Sequence, residues 1–134
     1  MPSLSNTYDS LATWYLEQKL DPQRAVELSE VALELIQSKN ESSDAVQKIT
    51  YALALAVIGQ NDRAEGLIEQ ALEAAEHVDT RIRADLNRQI GHARLAQGNR
   101  EAAVEHFRKA IELDPDGIFG KLAHRALDSI ASPS

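Results

Sequence analysis

The sequence predicts an all-α chain assembled from repeated helix pairs. Ala fills 20 of 134 positions, Leu, Glu and Gln are abundant and β-branched runs are scarce, a composition that favours helices. Breaks rich in Gly, Pro, Asn and Asp divide the chain into seven helical stretches. Compared with itself, the chain aligns three times at a shift of 39 residues, as repeated supersecondary units do.

The first helix is expected over residues 7–19, with Tyr8, Leu11, Trp14 and Tyr15 as its larger apolar side chains. The second covers 22–39. Pro22 suits a first helical turn, where its missing N–H has no intrahelical partner to lose, and Asp21 is placed to cap it. Ser43 opens the third helix, 43–58, and Gly59 stands where a left-handed residue closes a helix. Asn61 or Asp62 caps the fourth, 62–77. The fifth, 80–97, ends before Gly98, and Asn99 caps the sixth, 100–113. In the seventh, 118–131, Phe119, Leu122, Ala123, Ala126, Leu127 and Ile130 share one face, with Lys121, Arg125, Asp128 and Ser129 opposite. A helix with a single apolar face at this place is expected to cap the last pair, which has no successor to cover it. No matching cap precedes the first helix, so Tyr8, Leu11, Trp14 and Tyr15 form a candidate edge for a partner.

The 39-residue shift brings Ala25, Ala64 and Ala103 into one column and Ala32, Ala71 and Ala110 into another. Thr13, Ala52 and Gly91 form a third, and Gly59 meets Gly98. Small residues are expected where helix backbones cross closely. Gly91 is the sharpest case, because mid-helix Gly costs about 1 kcal/mol relative to Ala and close packing is the expected compensation. Gly66 has no small partner in the other units, and local crowding is the expectation there.

The third unit resembles a tetratricopeptide repeat, a helix-turn-helix of roughly 34 residues with the pattern W-x2-L-G-x2-Y, A-x3-F and a closing P. Between Ala84 and Gly117, Ile90, Gly91, Ala103, Phe107, Ala110 and Pro115 stand at the family's spacing, while its Trp and Tyr slots hold Asn87 and Arg94. The second unit keeps Tyr51, Ala52, Ala64, Ile68 and Ala71, and the first keeps Ala25 and Ala32. The resemblance implies a right-handed superhelix of three antiparallel helix pairs, about 7–42, 43–79 and 80–117, plus the capping helix 118–131. These make one domain, 7–131, between flexible ends at 1–6 and 132–134. The spacing exceeds the family's by five residues, about 7.5 Å of helix, and is similar to that of a long-helix subclass with the excess in the helices.

Composition narrows the function. The formal net charge is −7 and aromatics make up 4%, so neither a phosphate backbone nor an anionic membrane is an expected partner. The absence of Cys removes disulfide scaffolds, Cys-based zinc sites, iron–sulfur clusters and thiol nucleophiles. Neither a signal peptide nor a transmembrane run is read, which makes a cytoplasmic location the default. A di-metal helix pair needs Glu three residues before His, and those positions hold Ala74, Gln89, Ala103 and Lys121. Glu73 and His77 read as an ordinary exposed pair. Gly117-Ile118-Phe119-Gly120-Lys121 has neither the P-loop spacing nor its preceding strand. No metal, no cofactor and no catalytic residue is expected, and the chain is not expected to be an enzyme.

The resemblance instead implies a protein or peptide partner, held in a concave groove lined by the first helix of each pair. In the 39-residue register the lining is Thr7, Ser10, Leu11 and Trp14, then Val46, Ile49, Thr50 and Leu53, then Asp85, Arg88, Gln89 and His92. The candidate partner-binding residues are Leu11, Trp14, Ile49, Leu53, Arg88, Gln89 and His92, with Trp14 and Arg88 of the types that dominate interfaces. For Trp14, Leu53 and Arg88, packing between helices is the other reading. The family's carboxylate clamp grips a chaperone tail with Lys and Asn, but the matching slots hold Ser10, Trp14, Thr50, Asp85 and Gln89. A hydrophobic or amphipathic peptide is therefore the expected ligand. The alternative is self-assembly, with a homodimer formed through the uncapped first helix pair.

Overall fold

The computed structural model describes residues 3–39, 44–76 and 78–131. Seven helices and no strand occur among them: α1 (Leu4–Glu17), α2 (Pro22–Lys39), α3 (Ala45–Val57), α4 (Asn61–Ala75), α5 (Thr80–Ala96), α6 (Arg100–Leu113) and α7 (Ile118–Ala131). The all-α expectation holds. Helix α1 starts three residues before the expected Thr7 because Ser3 caps it, its hydroxyl accepting the Asn6 N–H at 3.1 Å. Ser5 is buried and donates to the Ala32 carbonyl of α2 at 2.7 Å, so Leu4 to Asn6 form a docked helical turn where a flexible end was expected. Asp21 and Asn99 cap as expected, accepting the N–H groups of Arg24 and Ala102. Asn61 and Asp62 do not cap α4: both lie inside its first turn, after Gln60. The Ser43 cap and the Glu73–His77 pair involve residues outside those described.

Helices α1 and α2, α3 and α4, and α5 and α6 pack as pairs, and successive pairs join through α2 on α3 and α3 on α5. This is a helical solenoid. Ala25, Ala64 and Ala103, like Ala32, Ala71 and Ala110, are fully buried, so the expected columns of small residues lie where neighbouring helices come together. A hydroxyl links two of the pairs: Tyr51 donates to Glu30 at 3.1 Å and accepts from Arg63 at 2.6 Å, joining α3 to α2 and α4. Helix α7 covers α6 and α5 with Ala123 fully buried and Ala126, Leu127 and Ile130 packed beside it, and Arg100 ties the two ends together by donating to the Ile130 carbonyl.

Within each pair the first helix ends in the same left-handed turn. Lys19, Gly59 and Gly98 have φ of 54°, 85° and 81°. In each turn the N–H of the next residue bonds back five positions, Leu20 to Tyr15, Gln60 to Leu55 and Asn99 to Arg94, at 3.0, 2.8 and 2.8 Å. Ala25 lies six positions after Lys19, whereas Ala64 and Ala103 lie five after Gly59 and Gly98. The first turn is one residue longer, so α1 matches α3 at a shift of 40. Ala12, fully buried, therefore takes the place expected for the half-buried Thr13, and Ser5, Ala45 and Ala84 form a further buried column.

Three other expectations change. Gly66 faces open space and is not crowded. Pro115 is exposed and ends α6 without packing into the core, because the residue before a proline is driven out of the helical region and Asp114 sits at φ −144°, ψ 62°. The extra repeat length is shared between long helices, with 18 residues in α2 and 17 in α5, and the intervals between pairs.

Candidate functional site

Helix α1 meets α3 less extensively than α3 meets α5. Between them opens a cavity of about 560 Å³. Thr13, Leu16, Leu20 and Pro22 line it from the first pair, Leu53 and Val57 from α3, and Arg88, Gln89 and His92 from α5, with Glu17 and Lys19 completing the wall. A shallower recess of about 300 Å³ shares Thr13, Glu17, Arg88 and Gln89 and adds Asp9, Ser10, Trp14, Val46 and Asp85. The two make one groove across the first helices, mostly apolar with a few converging polar groups, as ligand sites are.

Of the seven candidate residues, Leu53, Arg88, Gln89 and His92 line the larger cavity. Trp14 stands on the recess, 48% exposed, its ring edge-on to Tyr15 at 5.4 Å. Leu11 is 43% exposed and lines neither space. Ile49 is buried in the core, since α3 lies between α1 and α5 and is covered from both sides. The displaced register explains α1. One residue turns a helix by about 100°, so Asp9 and Thr13 occupy the positions of Arg88 and His92, while Leu11 turns away from both spaces and Trp14 leaves the larger cavity for the recess. Asp9, Thr13, Leu16 and Leu20 were missed for that reason, and Val57, at the end of α3, was missed independently of it. The available signal was the first unit's lack of a glycine where the other two have Gly59 and Gly98.

Polar groups in the groove hold one another in place. Arg88 donates to Asp85 Oδ1 through Nη2 at 2.8 Å and Nε at 3.2 Å, and Gln89 donates to Asp85 Oδ2 at 3.3 Å. The Arg88 guanidinium also lies over the Phe119 ring, 5.9 Å from its centre, so the capping helix helps to fix a groove residue. Asp9 is different. Burial pushes its carboxyl up to about 6, with the Asp85 charge adding to the rise and the Thr50 hydroxyl opposing it. Its Oδ1 is buried without a hydrogen-bond partner. His92 moves the other way, lowered to about 4 by burial and then by Arg88, and its ring meets Phe107 edge-on at 5.0 Å. At neutral pH the groove thus holds an ionised Asp9 and a neutral His92.

The polar residues in the third pair's two aromatic slots bond across helices. Asn87 donates to the Arg83 carbonyl at 2.9 Å, and its Oδ1 lies 3.1 Å from His106 Nδ1 on α6. Since that Oδ1 can only accept, His106 carries the proton on Nδ1. Arg94 pairs with Glu65 of α4 and bonds Gln97. Residues 84–116 match the family model of the tetratricopeptide repeat. The third pair thus resembles a tetratricopeptide repeat. Its Gly91, Ala103, Phe107 and Ala110 are all buried at the helix crossing, while Asn87 and Arg94, in the slots of the family's Trp and Tyr, contact His106 and Glu65. No curated protein and no solved structure matches the chain. A tetratricopeptide repeat suggests a module for protein–protein interaction. Among the described residues, no three His, Asp or Glu side chains gather as metal ligands would, and no helix is long and apolar enough to cross a membrane.

Proposed function

We propose that the chain is a non-catalytic protein-binding module that takes up a peptide segment or partner helix in the groove of α1, α3 and α5. One observation carries this reading: the cavity of about 560 Å³, walled by Leu16, Leu20, Leu53 and Val57 with Arg88, Gln89 and His92 on one side. Aliphatic walls supply the burial that drives association, and the few fixed polar groups set orientation. The test is a peptide-array screen with the wild type and with Leu53→Asp plus Arg88→Ala, the fold of both checked by circular dichroism. Loss of the bound peptide set in the folded double variant is the expected result. Unchanged binding rejects the groove.

A second reading, self-association, is favoured by the outer side of α1, where Leu4, Leu11 and Trp14 are 63%, 43% and 48% exposed. The exposed side of α7 is mostly polar, with Lys121, Arg125 and Asp128 and only Ile118 as a large apolar group, so end-to-end stacking has little apolar surface to use. Assembly through α1 would be a closed two-fold dimer. Sedimentation of wild type and Leu11→Glu decides it: a dimer in the first and a monomer in the second supports the reading, and a wild-type monomer at high concentration removes it.

A further inference from the structure

The charges of the groove do not balance. Asp85 is fully engaged, one oxygen by Arg88 and the other by Gln89, and it neutralises Arg88 in turn. Asp9 and Glu17 remain on the recess without a compensating cation among its lining residues. Asp9 Oδ1 is buried and unpartnered, which is costly for an acceptor and most costly for an ionised one. Lys19 lies on the wall of the neighbouring cavity, beside Leu20 and Pro22, and is not among the residues of the recess. The chain as a whole carries −7, which favours encounter with a cationic partner. Next to this acidic recess stands the aliphatic space between Leu16, Leu20, Leu53 and Val57, and the two share Thr13, Glu17, Arg88 and Gln89.

We propose that the groove selects a peptide in which a basic side chain neighbours an aliphatic one, the cation meeting Asp9 and the aliphatic group entering the space beside Leu53. The inference rests on the groove being the binding face and specifies what that face reads. A guanidinium or ammonium in the recess offsets the charges of Asp9 and Glu17, which Arg88, already held by Asp85, leaves unbalanced. An acidic peptide would add repulsion against Asp9, Glu17 and Asp85, so discrimination comes from both attraction and rejection.

The test uses the full chain, labelled with 15N, and three probes: N-acetyl-leucyl-argininamide and its glutamine and glutamate counterparts. The arginine probe is expected to move the amide signals of Asp9, Thr13, Leu53 and Gln89, and to bind about fivefold or more tighter than the glutamine probe, with the glutamate probe weakest. In Asp9→Asn, whose fold is checked by the same spectra, the arginine probe should fall to the level of the glutamine probe. Equal binding of the arginine and glutamine probes at the groove overturns the charge selection and leaves the groove itself standing. So does a preference that survives Asp9→Asn. If none of the three moves a groove signal, the binding face falls as well.

Discussion

A Cβ built on Gly91 would stand 2.6 Å from Cε1 of Phe107, which is the largest fully buried side chain of the third helix pair. The glycine on α5 thus provides the space that lets the α6 ring seat against the helix backbone. Gly91→Ala gains about 1 kcal/mol of helix propensity but forces the ring aside, and overpacking of this kind costs roughly 1–3 kcal/mol. A net loss of the order of 1 kcal/mol is expected by urea unfolding. Phe107→Leu, which vacates the ring edge, should make the same alanine less costly, a coupling that a double-mutant cycle measures directly.

Gly66 is the internal control. No atom lies within 4 Å of a Cβ built there, so Gly66→Ala meets no contact and keeps only the helix-propensity gain. Unfolding should shift to higher urea, by up to about 1 kcal/mol of stability. A destabilised Gly66→Ala would mean that small residues in α4 are needed for something other than space.

Lys19 holds the left-handed position that Gly59 and Gly98 hold in the other turns. A side chain there is strained by roughly 1 kcal/mol because Cβ crowds the following carbonyl. Lys19→Gly is therefore expected to stabilise the chain by about 0.5–1 kcal/mol, while Gly98→Ala should destabilise it by a similar amount. Parallel thermal melts of both variants would show displacements of opposite sign. If both move the same way, the three turns are not equivalent and the forty-residue match of α1 to α3 loses its anchor.

These turns also show how much could be read from the residues. The helices, the two buried Ala columns and the close packing at Gly91 were legible because each follows from local rules: capping, small residues at crossings, an apolar stripe. The α1 side of the groove was not. A shift of 39 holds for Ala25, Ala64 and Ala103, but the extra residue between Lys19 and Ala25 rotates α1 against that register, and no periodicity within α1 reveals it. Asp9 was missed for a further reason. An aspartate on a mixed helix reads as solvated, and only tertiary packing places its carboxyl under cover.

Trp14 is the chain's single tryptophan and stands half-exposed on the recess. Its emission should be that of a largely solvated indole, and Trp14→Ala should cost less than about 1 kcal/mol, since little apolar area is lost from the core. A ligand seated on Asp9 and Val46 would cover the indole and shift its emission to shorter wavelength. A bound peptide that leaves the spectrum unchanged would place the contact away from the recess.

Asp9 and His92 give the groove opposing responses to acid. The folded Asp9 carboxyl sits at about 6, above its unfolded value of about 3.9, so the native state binds this proton more tightly. Its contribution is complete below about pH 4 and is lost as pH rises through 6. His92 is lowered to about 4 from an unfolded value near 6.5, so its contribution is complete above about 6.5 and is lost as pH falls through 4. Between pH 4 and 6 the two slopes have opposite sign and similar size, and the wild type should be nearly flat with respect to this pair. Asp9→Asn removes the first slope. Its stability should climb with pH across that window and exceed the wild type by about 1–2 kcal/mol at pH 7, with the gap closing below pH 4. His92→Gln should reverse the slope, whatever it loses in contact with Phe107. Urea unfolding at pH 4.5 and 6.5 reads both signs, and variants with parallel slopes would show that burial of these two groups does not set the acid response.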